Sequence, residues 1–207
     1  VRLVAAGWKR TRPDDEMVRS HFLDTAYWAP AVRTDADGRA QVSLALPDNL
    51  TTWQGIELSG RTAGLVGCGA IGREVARRLA AFEMKVLAFD PYVADHPQTV
   101  ANVPVDFASL DDLLSRSDFV SIHAAVTSQS RGLLGRDELA RMKRQAFLVN
   151  TARAALVDEE ALLDALRAGR IAGAAVDVHR VEPLPPGSPW LALDNVLLTP
   201  HIGGATG

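Results

Sequence analysis

The chain is expected to be an α/β protein: a doubly wound parallel sheet preceded by a short β-rich N-terminal segment. Three observations point there. From Arg61 onward, short β-rich apolar runs alternate with amphipathic helical stretches; the first run leads straight into a glycine-rich turn and a helix; and the second run is closed by an acid, Asp90. That rhythm is the one that builds a Rossmann-like unit from βαβ pieces.

The strands are expected at 62–66, 85–89, 119–123, 146–150, 174–178 and 196–199. A first helix spans Ile71 to Phe82, with Val75, Leu79 and Phe82 on one face and Arg73, Arg77 and Arg78 largely on the solvated other. A second starts at Ser109 with Asp112 three residues on, an approximate capping box. A third runs from Asp158 through Leu166 and stops before Gly169. The stretch "EPLPPGSP" reads as a loop. Before the sheet, "DADG" is a turn signal and "AQVSLAL" alternates like a strand, so residues 1–53 form the β-rich segment and 54–207 the α/β domain.

Of the 207 residues, 22 are basic and 25 acidic, a net charge of −3, and no long Lys/Arg block occurs. A nucleic-acid or anionic-membrane footprint is therefore not expected, and a small soluble partner is the default. The single cysteine, Cys68, excludes an internal disulfide framework and fits a reducing, cytoplasmic setting. No apolar run reaches the ~18 residues of a membrane helix, and "VRLVAAGWKR" lacks the apolar stretch of a signal peptide. No cluster suggests a metal site.

Gly67, Gly69 and Gly72 make G-x-G-x-x-G between a strand and a helix, the context in which that spacing carries a mechanism. Gly67 permits the tight turn, Gly69 lets the backbone approach a pyrophosphate, and Gly72 allows close helix-strand packing. The free N–H groups of the helix start, at Ala70 and Ile71, then face the phosphates. Asp90 follows Gly72 by 18 residues, where a carboxylate accepts hydrogen bonds from the ribose hydroxyls. No Arg occurs in "DPYVAD" to meet a 2′-phosphate, so NAD is favoured over NADP. The alternative is a glycine turn in another α/β fold with a surface Asp.

Polar groups also gather after the later strands: Arg153 after the fourth, Asp177 and Glu182 at and beyond the fifth, His201 beyond the sixth. Ligands of open α/β sheets bind at that edge. Arg153 reads as a fork for a carboxylate, and Glu182 with His201 as a carboxylate-imidazole pair. Each has a plainer reading: Arg153 as neutraliser of Asp158 or Glu159, Glu182 as a surface residue of a proline loop, His201 as a structural histidine. Gly203 and Gly204 leave room for a flat ring beside His201.

With "GLVGCGAIG", "NTAR", "LVDEEALLDAL", "GRIAGAAVDV", "VEPL" and "LTPHIGGAT" in order, residues 55–207 resemble the cofactor domain of the NAD-dependent D-2-hydroxyacid dehydrogenases. That family contains phosphoglycerate, D-lactate, glyoxylate/hydroxypyruvate and formate dehydrogenases. The resemblance implies that Arg153 holds the carboxylate and keto oxygen of a small 2-oxo acid, that His201 exchanges the proton, and that Glu182 orients His201 and raises its basicity. It implies that Asp177 holds the nicotinamide carboxamide, and that the segment from His123 to Thr127 and the Thr151–Ala152 backbone line the NAD cleft. A homodimer through the Rossmann domain fits the same resemblance. Ala154 and Ala155 stand where the family usually has glycine, and His179 where an aromatic is usual, so the pocket edge is expected to be more crowded or more polar.

Residues 13–53 instead resemble a segment of the alpha-2-macroglobulin family, large protease-trapping proteins built from β-sandwich modules, through "FLDTAYWAPAV" and "TDADGRAQVSLALPDNLTTW". The two resemblances meet at Trp53; the alternative is a divergent piece of a substrate domain. Since the dehydrogenases carry a separate flavodoxin-like substrate domain, the expectation is an NAD-dependent oxidoreductase in incomplete form, with a non-catalytic NAD-binding module as the alternative. A protease-trap fragment is disfavoured. A thioester would want Cys-Gly-Glu-Gln, and Cys68 is followed by Gly-Ala.

Overall fold

The computed structural model describes residues 58–93 and 99–204. The expected β-rich segment, the meeting point at Trp53 and the 53/54 boundary lie outside the described residues.

Among the described residues, seven parallel strands form the main sheet. In chain order the elements are β1 (Thr62–Val66), α1 (Ala70–Ala81), β2 (Lys85–Phe89), the two-residue strands β3 (Thr99–Val100), β4 (Val103–Pro104) and β5 (Asp106–Phe107), then α2 (Leu110–Arg116) and β6 (Phe119–Ile122). There follow α3 (Arg136–Arg141), β7 (Phe147–Asn150), α4 (Glu159–Arg167), β8 (Gly173–Val176) and β9 (Val196–Leu198), with 3-10 turns at Ala154–Leu156 and Pro189–Ala192. The sheet order is β5-β2-β1-β6-β7-β8-β9. The chain thus builds leftward from β1 to β2 and β5, then jumps back to β6 and builds rightward. A crevice opens outside the carboxyl ends of β1 and β6, where the direction reverses.

The strands read as nearly continuous apolar runs because both faces of the sheet are covered. Leu65, Val86 and Ala88 pack on one face with Ala76 of α1; Val66, Leu87, Val120, Ile122, Leu148 and Val176 pack on the other with Leu113 of α2, Leu139 of α3 and Leu162 of α4. Helices on both faces make the fold doubly wound, as expected.

Register fixes what this edge offers. Val66 lies opposite Phe89 and Ile122, Ile122 opposite Asn150, Asn150 opposite Val176, and Val176 opposite Leu198. The next residue of each strand is therefore Asp90, Gly67, His123, Thr151, Asp177 and Thr199, side by side along one edge.

The helix ends follow local chemistry. Ser109 caps α2 by accepting from Asp112 N–H at 3.1 Å, while its hydroxyl donates to the Asp112 carboxylate at 3.0 Å. Asp158 caps α4 through Ala161 N–H at 3.1 Å, and Gly169 ends it at φ +58. Four details depart from expectation, the first being the short strands β3, β4 and β5, the last of which adds a seventh strand at the edge of the sheet. Phe82 leaves the apolar face of α1 because the helix ends at Ala81 and Glu83 turns left-handed at φ 59, so Phe82 is 39% exposed. Strands β6, β8 and β9 end before His123, Val178 and Thr199, where the chain turns into the crevice. The short α3 was not expected; Glu138 accepts from the Gly135 N–H at its start, at 3.1 Å.

Candidate active site

At the glycine-rich turn, Gly67 has φ +99, and a Cβ there would lie 2.7 Å from the Ala124 nitrogen, so the turn after β1 presses against the turn after β6. A Cβ on Gly72 would strike the Gly67 carbonyl oxygen. Both positions require glycine for packing. Gly69 differs: a Cβ there would meet nothing within 4 Å among the described residues, which leaves open space against the first turn of α1. The first bond of that helix is Arg73 N–H to Gly69 O at 3.0 Å, so the N–H groups of Ala70, Ile71 and Gly72 have no acceptor within the helix. With no acid in the first turn, this end is set for an anion.

Asp90 sits beside it. One carboxylate oxygen accepts from Cys68 N–H at 2.8 Å and the other from Tyr92 N–H at 3.0 Å, so the side chain is fixed and each oxygen keeps a lone pair for a hydroxyl. These residues fit a dinucleotide. On the opposite wall, His123 bonds Ser121 through Nε2 at 2.9 Å, and burial lowers its pKa. Thr127 organises the next turn: its hydroxyl oxygen accepts from the N–H groups of Gln129 and Ser130 at 3.2 and 3.1 Å.

At the other end, a cavity of about 730 Å³ is lined by Arg153, His179, Glu182 and His201 among others. Asn150, 2% exposed, accepts from Ala152 N–H at 3.1 Å and donates to the Arg153 carbonyl at 3.1 Å, which shapes the turn bearing Thr151, Ala152 and Arg153. Arg153 donates to the Ala152 carbonyl at 2.6 Å and pairs with no carboxylate among the described residues, so neither Asp158 nor Glu159 claims it. Ala154 and Ala155 fit a 3-10 turn in this wall.

His201 Nδ1 lies 2.8 Å from Glu182 Oε2, and the other oxygen of Glu182 accepts from His179 N–H at 2.8 Å. The His179 N–H and then His201 hold the Glu182 carboxyl below its ordinary value. Glu182 is therefore anionic at neutral pH, and its contact with His201 is made at Nδ1 and not at Nε2. His201 itself sits at φ +56, a region that a non-glycine residue seldom holds.

What holds it there is Asp177, 4% exposed. Its carboxylate accepts from the Thr199 hydroxyl, from Ile202 N–H at 3.0 Å and from Gly203 N–H at 2.8 Å. Burial raises its carboxyl, but these three bonds outweigh that and leave it below the usual Asp value. A Cβ on Gly203 would come within 2.8 Å of Asp177, whereas one on Gly204 would meet nothing within 4 Å among the described residues. Asp177 thus has three acceptor positions committed to the segment that carries His201. The positioning parts played by Asn150 and Thr199 were not foreseen, although each is a polar residue at the end of an apolar strand.

The D-isomer specific 2-hydroxyacid dehydrogenase NAD binding domain family matches residues 31–203. D-3-phosphoglycerate dehydrogenase of Archaeoglobus fulgidus is 44% identical over 154 residues, 74% of this chain and 29% of that protein. Glyoxylate reductase of Thermofilum pendens is 48% identical over 153 residues, 73% of this chain and 44% of the relative. The crystal structure of NAD-dependent formate dehydrogenase from Staphylococcus aureus in complex with NAD superposes with a TM-score of 0.67 at 37% identity, covering 72% of this chain and 44% of that one. This chain therefore spans less than half the length of each of these three proteins. It belongs to the D-isomer specific 2-hydroxyacid dehydrogenase family and carries that family's NAD-binding domain.

Proposed function

We propose that this domain serves the NAD-dependent, reversible reduction of small 2-oxo acids to D-2-hydroxy acids, with Arg153, Glu182 and His201 at the reacting end. The observation that carries the reading is the 2.8 Å contact of Glu182 with His201 Nδ1 on the wall of the cavity that Arg153 also lines. Gly67, Gly69, Ala70, Ile71 and Gly72 hold the pyrophosphate. Asp90 takes the ribose hydroxyls, and His123, Thr127, Thr151, Ala152, Gly203 and Gly204 line the rest of the cleft. Asp177 meets the carboxamide with the acceptor position its three bonds leave free.

Held in this crevice, NADH would supply the hydride. Arg153 grips the substrate carboxylate with its planar fork and offers positive charge where the carbonyl oxygen turns anionic. His201, protonated, donates from Nε2 to that oxygen, and Glu182 holds the ring and stabilises its charge. In oxidation His201 starts neutral and takes the proton back. That Arg153, Glu182 and His201 line one cavity supports this reading over a non-catalytic NAD-binding module. The same proposal includes a homodimer through the Rossmann domain, which sedimentation at twice the chain mass would support.

The test is NADH oxidation by the natural polypeptide carrying this domain, with glyoxylate, hydroxypyruvate, pyruvate and phosphohydroxypyruvate. His201→Gln is expected to lower kcat by about a hundred- to ten-thousand-fold. Near-normal turnover in that variant would contradict the assignment.

A further inference from the structure

His179 is a buried imidazole that the chemistry above leaves unused, 8% exposed and edge-on to buried Trp190 with ring centroids 6.4 Å apart. Its Nε2 lies 3.0 Å from the Thr199 carbonyl. A carbonyl only accepts, so Nε2 carries the proton, and Nδ1 is a buried lone pair with no partner among the described residues. A polar ring at this depth with one nitrogen unpaired costs stability that a well-packed apolar ring would not. Its retained bond reaches a particular place: Thr199 stands two residues before His201.

Around His201 the constraints form a closed circuit. On the far side, Ile202 and Gly203 are tied to Asp177. On the near side, Thr199 is tied through its N–H to the Val176 carbonyl at 3.1 Å, through its hydroxyl to Asp177 and through its carbonyl to His179. Pro200 between them has no N–H to contribute. The partner of His201 is tied as well, because Glu182 Oε1 accepts from the backbone N–H of the same His179. One residue therefore touches both the loop that carries the imidazole and the carboxylate that receives it.

We propose that His179 is a positioning residue for the Glu182–His201 pair: its Nε2–H, bonded to Thr199, and its backbone N–H, bonded to Glu182, hold the two partners in register. His201 occupies a left-handed conformation that persists only where its surroundings over-determine it, and the Thr199 bond is one of the constraints that do so. The proposal rests on reading His201 as the proton carrier, but its test needs neither substrate nor cofactor.

The experiment compares the chain with His179→Phe, which keeps a flat ring beside Trp190 but has no donor, and His179→Gln, whose amide reaches toward Thr199. Long-range nitrogen-proton correlation spectra report which ring nitrogen of neutral His201 carries its proton. The wild type is expected to show it mainly on Nδ1, held by Glu182. In His179→Phe the proton is expected to move toward Nε2, the form preferred by unconstrained imidazole, and in His179→Gln to return to Nδ1. An unchanged His201 tautomer in His179→Phe, or an equal change in both variants, would overturn the proposal. Should His179→Phe fail to fold, His179→Asn, with an amide too short for Thr199, replaces it under the same expectation. If the tautomers behave as expected but no 2-oxo acid is reduced, the functional reading fails and the positioning role of His179 stands.

Discussion

Asp90 fixes the backbone nitrogen of Cys68 in the glycine turn, and the proposed function gives it the ribose hydroxyls as well. A 2′-phosphate there would meet an anion, so NADH should bind more tightly than NADPH, and Asp90→Asn should narrow that preference by about tenfold or more. Fluorescence titration of both nucleotides checks this; equal affinities in the wild type would remove Asp90 from the ribose site. Asp177 gives a pH prediction. Its folded pKa is depressed, so its stabilising contribution is complete above the ordinary Asp value of ~3.9 and is lost as pH falls through the lower folded value. Asp177→Asn should flatten the stability curve across that acid window and loosen the 199–203 segment at neutral pH, as acid titrations followed by circular dichroism and hydrogen exchange would show. Single residues were readable in sequence where chemistry and spacing coincide: Gly67, Asp90, Arg153, Glu182 and His201 announce themselves by type and by position after a strand. Asn150 and Thr199 did not, because their work is done on carbonyls and N–H groups of other segments, and His179 stood out only as a polar residue where an aromatic is usual.

Among elements, the legible ones carry their own stop and start signals. Ser109 and Asp158 mark the first turns of α2 and α4 at the expected helix starts, and both cap them with their side chains, although Asp112 bonds the Ser109 hydroxyl and not the Ser109 N–H that a full capping box would use. Ser109→Ala should cost about 1 kcal/mol in denaturant unfolding. The hairpin of β3 and β4 was not legible, since its turn places Ala101 and Asn102 at φ 50 and 64, a conformation that Ala seldom signals. Nor was α3, whose six residues are too few for a periodic pattern. The link between β1 and α1 is stricter than propensity suggests. Gly72→Ala drives a methyl into the backbone oxygen of Gly67, which cannot rotate away. This variant should therefore lose NADH affinity as well as stability, whereas Gly69→Ala, with open space around its Cβ, should retain the fold and lose affinity alone.

At the scale of the domain, parallel register turns a linear sequence into one row of functional positions. Six strands end level, so residues 90, 67, 123, 151, 177 and 199, scattered along the chain, line a single edge. Strand alternation was visible in sequence; the lateral order, and hence which loops face one another, comes from the packing of helices on both faces. That packing is also where stability resides: Leu148→Ala, at a fully buried position in β7, should cost about 2–5 kcal/mol.

The most direct measurement of the central claim is to transplant residues 60–204 into the matching part of the Thermofilum pendens glyoxylate reductase, 48% identical over the matched region, and to assay glyoxylate-dependent NADH oxidation. The chimera is expected to reduce glyoxylate, and to lose turnover by about a hundredfold or more on His201→Gln while still binding NADH. A folded, NADH-binding chimera whose rate is the same with and without His201→Gln would contradict the assignment of Arg153, Glu182 and His201 as the reacting end of this domain.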